Sequence, residues 1–179
     1  KPFFVNPWLH EPHTPFHTVP KYEWRFREMG SEADRIYASV LSHADDRIGQ
    51  VLDALDRLKV TDDTLVIFSS DNGPARAGGD AKLELGYDTA TGAGWGIGAA
   101  KGITGGRRGY KSALFEGGIG VPFIARWPGE IAAGKIDKDS IMSAVDLLPT
   151  FCELAGVELP DSYKPDGMSQ VAALKGNGE

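Results

Sequence analysis

TLVIFSSDNGP, residues 64–74, decides how the chain is read. Its first five residues form a continuous apolar, β-branched run, as a strand covered on both faces shows. The run passes directly into Ser69-Ser70-Asp71-Asn72-Gly73-Pro74. In open α/β sheets, ligands gather at the carboxyl ends of strands, so chemistry is expected here. Asp71 and Asn72 offer two side-chain oxygens with one negative charge. That donor set suits a hard cation such as Ca²⁺ or Mg²⁺. Asn-Gly is also a favoured turn dipeptide, and on these residues alone the turn is the stronger reading.

On the N-terminal side of this strand lies the clearest periodic element. Ser31 can cap a helix, with Asp34 at capping-box spacing. Apolar residues then recur from Ala33 through Ile36, Tyr37, Val40, Leu41 and Ala44 to Leu55 and Leu58 at helical spacing. Asp45, Asp46, Arg47, Asp53 and Asp56 fall on the opposite face. On the C-terminal side, residues 75–110 are rich in glycine and lack periodicity, and a loop of that length in a compact domain is usually functional or disordered. Residues 121–127 read as a second buried strand that ends at Pro128-Gly129. Residues 143–155 read as a helix with Gly156 as its C-cap and Pro149 in an early turn. Phe3 to Val5 reads as a short buried strand. Turn residues dominate the tail from Leu159, apart from the apolar stretch 171–174. This order of elements predicts an α/β layered domain with a mainly parallel sheet.

The bulk numbers permit such a domain. The 179 residues can bury one core. The 41% apolar and 25% charged shares are those of an ordinary globular protein. A net charge of −6 argues against a nucleic-acid partner, and no apolar run is long enough for a membrane span. The single cysteine, Cys152, has no internal disulfide partner. It lies on the apolar side of a predicted helix and reads as a small buried hydrophobe.

Two further stretches carry side chains with chemistry. HEPHTPF, residues 10–16, places His10 and His13 on a proline-restricted loop. Histidines there can serve as metal ligands, general acids or anion donors, although most loop histidines do none of these. Arg107-Arg108-Gly109-Tyr110-Lys111 and Phe115-Glu116-Gly117-Gly118 gather cations and glycines ahead of the second strand. Fixed cations and close backbone approach are what an oxyanion needs. A solvated basic loop is the simpler reading of the same composition.

Taken together, the order and spacing resemble the sulfatase family of the alkaline-phosphatase-like superfamily, arylsulfatases included. The matching stretches are FFVNPWLHEPHTPF, YASVLSHADDRIGQVLDALDRL, TLVIFSSDNGP, GGRRGYKSALFEGGIGVPFIARWPG, AVDLLPTFCELAGVELP and PDGMSQVAALKG. The resemblance implies an alkaline-phosphatase-like three-layer sandwich, with residues 1–179 forming a partial domain. It implies that Asp71 and Asn72 are ligands to a divalent cation, Ca²⁺ in preference to Mg²⁺. It implies that His13 contacts the sulfate and protonates the leaving oxygen, that Lys111 binds a sulfate oxygen, and that His10 is a neighbouring substrate-binding residue. Glu116 to Gly118 would be a structural turn leading into the strand. The expected substrate is a small-molecule or carbohydrate sulfate ester. A sulfate monoester shields its sulfur with anionic oxygens, so hydrolysis needs charge neutralisation and a proton for the departing alkoxide. A periplasmic, secreted or lysosomal location is expected from the family.

Three family features are not found in the sequence. These are the Cys/Ser-x-Pro-x-Arg motif that yields the formylglycine nucleophile, the early paired aspartates of the metal site, and a Gly-Lys-Trp-His segment. The resemblance places them upstream of Lys1. The chain is therefore expected to be the second half of a catalytic domain, inactive alone, with the N-terminal half of the same enzyme as its partner. Gly120 stands where the family often has arginine. Tyr87, Asp88 and Trp95 lie where the family varies its substrate contacts. A phosphate or phosphonate monoester hydrolase of the same superfamily, or a non-catalytic anion-binding remnant, are the alternatives.

Overall fold

The computed structural model describes residues 1–13, 16–76 and 102–176. The elements in chain order are α1 (Pro20–Glu23), a 3₁₀ turn (Trp24–Phe26), α2 (Glu32–Leu58), β1 (Val66–Ser69), α3 (Glu116–Ile119), β2 (Phe123–Arg126), a second 3₁₀ turn (Ala144–Asp146), α4 (Leu147–Ala155) and α5 (Val171–Lys175).

The long helix is where its periodicity placed it. Ser31 Oγ accepts the Asp34 backbone N–H at 3.1 Å and donates to the Asp34 carboxylate. An otherwise unpaired N–H of the first turn is thereby satisfied. Ala33, Ile36, Val40 and Ala44 are buried along one stripe of α2, and Phe16 packs into it. Leu55 is buried further along, whereas Leu41, Val51 and Leu58 stand exposed. At the other end of the chain, Gly156 adopts φ 63° and closes α4 by donating to Cys152 and Glu153 carbonyls. Only glycine takes that left-handed conformation without strain. Pro149 is the third residue of α4, where its missing N–H costs nothing. Cys152 is half-buried and free. The apolar stretch of the tail forms α5, which ends at Gly176.

The sheet departs from expectation in two ways. First, β1 and β2 pair with each other, and they run antiparallel. The Trp127 indole N–H donates to the Asp62 carbonyl at 2.9 Å, and Ser69 Oγ donates to the Pro122 carbonyl at 3.0 Å. Residues that advance along β1 therefore meet residues that retreat along β2. A run of apolar residues signals covered faces but carries no information on strand direction. Second, Phe3 to Val5 is irregular and exposed, not a buried strand. An extended segment becomes a strand only where a neighbour completes its ladder, and the sheet of the described residues consists of β1 and β2 alone. The strands are also less covered than predicted, with Phe68 44% and Ile124 60% exposed.

The chain divides into two compact units. One comprises residues 1–54 and 69–122, and the other residues 55–68 and 123–179. All five predicted site residues fall in the first.

Candidate active site

The turn after β1 is built against glycines. Gly73 donates its backbone N–H to the Gly118 carbonyl at 2.8 Å. A Cβ on Gly73 would fall on the Gly117 carbonyl oxygen, well inside van der Waals contact. Close backbone approach is the reason for glycine here. One residue further, the Pro74 carbonyl accepts the Lys111 backbone N–H at 2.9 Å. These two hydrogen bonds stitch the Asp71–Asn72 turn to the Lys111 loop, although about forty residues separate them in sequence.

The Lys111 loop is itself folded onto α3. Gly117 N–H donates to the Arg108 carbonyl at 2.7 Å, and Gly118 N–H to the Phe115 carbonyl at 2.7 Å. Arg108 stacks its guanidinium over the Phe115 ring at 3.8 Å. The predicted structural turn at Glu116 to Gly118 is thus a short helical turn, with Gly117 and Gly118 buried.

Within the β1 turn, the Asn72 amide nitrogen donates to the Gly73 carbonyl at 2.8 Å. That bond leaves the Asn72 side-chain oxygen as the free acceptor of the pair. Asp71 is exposed beside it. The two offer hard oxygen donors, the right chemistry for Ca²⁺. They supply only part of the roughly six to eight oxygens that Ca²⁺ takes, and no group of three or more His, Cys, Asp or Glu side chains among the described residues could hold a metal.

His10 and His13 sit on a tight turn. His13 N–H donates to the His10 carbonyl at 2.9 Å, and the ring centroids are 5.9 Å apart. Between them, Glu11 Oε1 lies 2.6 Å from Nδ1 of His43 on α2. Burial pushes the Glu11 carboxyl up, but hydrogen bonds from its own backbone N–H and from His43 outweigh this and hold it below its ordinary value. A carboxylate is acceptor-only, so the His43 Nδ1–H donates. The structure therefore joins the Asp71–Asn72 turn and Lys111 through backbone hydrogen bonds, and holds the turn of His10 and His13 against α2 through Glu11. Tyr87, Asp88 and Trp95 lie outside the described residues.

The Sulfatase family model matches residues 1–157. The chain belongs to the sulfatase family. Human steryl-sulfatase is 34% identical to it over 151 residues, covering 84% of this chain and 23% of that protein. The N-acetylgalactosamine-6-O-sulfatase of Bacteroides thetaiotaomicron is 28% identical over 176 residues, covering 98% of this chain and 31% of that protein. Among solved structures, Ps i-CgsB in complex with k-i-k-neocarrahexaose is similar at 28% identity and a TM-score of 0.74, covering 93% of this chain and 32% of that one. The PsFucS1 sulfatase from Pseudoalteromonas sp. is similar at 30% identity and a TM-score of 0.63, covering 93% of this chain and 28% of that one. This sulfatase chain spans about a quarter to a third of the length of these relatives.

Sequence reasoning missed His43, which fastens the histidine turn through Glu11, and Ser39, which holds the downstream end of the loop at Val19. They lie one helical turn apart on α2, where Ser39 is fully buried and His43 half-buried beside the apolar stripe. A polar residue inside such a stripe was the available signal.

Proposed function

We propose that the chain supplies part of the active site of a sulfuric ester hydrolase acting on a sulfated carbohydrate or other small sulfate ester. The observation that carries this reading is the stitch between Gly73–Pro74 and the Lys111 loop. It brings a pair of side-chain oxygen donors and the backbone of Lys111 into one backbone-linked unit. The cation that the pair would hold and the Lys111 ammonium would both neutralise anionic oxygens, which is the main demand of sulfate-ester hydrolysis. Asp71 and Asn72 would hold Ca²⁺, which would supply Lewis-acid polarisation of the ester. Lys111 would hold a sulfate oxygen. His13 would contact the sulfate and give a proton to the leaving oxygen. The formylglycine nucleophile would come from a segment outside the 179 residues, because no Cys/Ser-x-Pro-x-Arg motif occurs in them. The carbohydrate preference is supported by relatives named for N-acetylgalactosamine-6-sulfate chemistry and by the similar structure that holds a neocarrahexaose.

The test is Lys111→Ala in a complete enzyme containing this chain. Turnover of an aryl sulfate is expected to fall by about 100-fold or more, with the melting temperature unchanged because Lys111 is exposed. Near wild-type turnover would remove Lys111 from the site. Peptide mass spectrometry of the same enzyme provides the second check. A formylglycine peptide supports the sulfatase reading, and an unmodified Ser or Thr nucleophile moves it to phosphate or phosphonate ester hydrolysis.

A further inference from the structure

The loop that carries His10 and His13 is fastened to α2 at three places. Glu11 reaches His43 at 2.6 Å. Phe16 is 3% exposed, lies in the cluster with Ile36 and Val40, and meets Tyr37 edge-on at 5.3 Å. Val19 N–H donates to Ser39 Oγ at 3.3 Å. Ser39 is fully buried and donates in turn to the Ile36 carbonyl at 2.7 Å. Ser39 and His43 are four residues apart, so they stand on successive turns of one helical face. The His43 ring also lies 6.2 Å from the ring of Tyr22, itself 2% exposed.

These attachments do different things. Phe16 and Val19 hold the downstream end of the loop, through burial and one backbone hydrogen bond. Glu11 is the residue between the two histidines, so the His43 contact is the one made within the histidine turn itself. Pro12 restricts the backbone dihedrals of the histidine turn. It does not fix where the turn sits on the domain. That requires a contact from the turn to a regular element, and the 27-residue α2 is the longest helix among the described residues. A side chain that must meet a reacting group tolerates little displacement, since a shift of about 1 Å can cost about 100-fold in rate.

We propose that His43 is a positioning residue of this sulfatase site: through Glu11 it fixes the turn that presents His13. The inference rests on the reading of His13 as the group that protonates the leaving oxygen. His43 itself touches neither substrate nor metal in this scheme.

The test uses a complete enzyme containing this chain and two substrates. Nitrophenolate leaves from p-nitrophenyl sulfate without needing a proton, whereas the alkoxide of an alkyl sulfate needs one. The variants are His43→Ala, Glu11→Gln, the double variant, His43→Gln and His13→Ala. His43→Ala is expected to lower kcat on the alkyl sulfate by about 10- to 100-fold, with a much smaller loss on p-nitrophenyl sulfate and little change in KM. The double variant should be no slower than the slower single variant. His43→Gln, which can still donate to Glu11, should recover most of the rate. Equal losses on both substrates, or losses that track a fall in melting temperature, would reduce His43 to a structural role and overturn the proposal. Glu11→Gln guards against misfolding of the His43 variants, because Glu11 sits at the margin of the core. His13→Ala separates the two readings. If it spares alkyl sulfate turnover, the role of His13 fails. If it abolishes turnover while His43→Ala and Glu11→Gln do not impair it, the positioning inference alone fails.

Discussion

Gly73 has no room for a side chain, and the reason lies forty residues away in the sequence. Its Cβ position is occupied by the Gly117 carbonyl, and its N–H is committed to Gly118. Gly73→Ala must therefore push the β1 turn away from α3 or distort one of them. Overpacking of this kind costs about 1–3 kcal/mol. Denaturant unfolding of Gly73→Ala is expected to show that loss. Wild-type stability in the variant would mean that the two loops separate freely, and the stitch could not then be what organises the site. In the sequence, Asn72-Gly73 reads as a turn glycine. The structure assigns it a different job, close approach between two backbones.

At the scale of elements, α2 depends on its first turn and on what it carries. Ser31→Ala removes the acceptor of the Asp34 N–H. An N-cap of this type contributes about 1 kcal/mol, and circular dichroism with urea titration should register a loss of that size without a change in helical content at low denaturant. No measurable change would mean that Asp34 or water replaces the cap. The boundaries of α2 and the C-terminal end of α4 were legible because their signals are local, whereas the first residues of the helix predicted over 143–155 form the separate 3₁₀ turn Ala144–Asp146. Ser31 and Asp34 start one helix, and Gly156 stops the other within a few residues of where it acts. The face of α2 that anchors the histidine turn was not legible. Ser39 and His43 look like polar interruptions of an apolar stripe until Val19 and Glu11 are placed against them.

At the scale of the whole molecule, each compact unit is held by polar as well as apolar contacts. In the unit comprising residues 55–68 and 123–179, Asp146 is buried and accepts the N–H groups of Ser143 at 2.8 Å and Met168 at 3.0 Å. Thr150, fully buried, links the Asp146 carbonyl to the Gln170 N–H. Hydrogen bonds from Ser143 and Met168 hold the Asp146 carboxyl below its ordinary value. Backbone N–H groups of Ser140 and Asp139 bring Asp137 down to about 2. A carboxyl whose pKa is lower folded than unfolded favours folding above its unfolded value of about 3.9. As pH falls below that value the unfolded chain takes up protons first, and the contribution is lost as the folded carboxyl itself titrates. Urea unfolding should therefore show stability falling between about pH 4 and pH 2. Asp137→Asn and Asp146→Asn should be less stable than wild type at pH 7 and less sensitive to acid. An unchanged acid limb in both variants would assign the loss to other groups.

Composition, caps and motif order determined the family of this protein and its two main helices, and pointed to the residues proposed to carry its chemistry. Each of those signals is complete within a short stretch of chain. Tertiary structure alone decided that β1 and β2 run antiparallel, that Phe3 to Val5 does not join them, that Lys111 is stitched beside Asp71 and Asn72, and that α2 bears the histidine turn. Each of these depends on hydrogen bonds between residues far apart in sequence, and no local preference specifies which distant backbone will complete them.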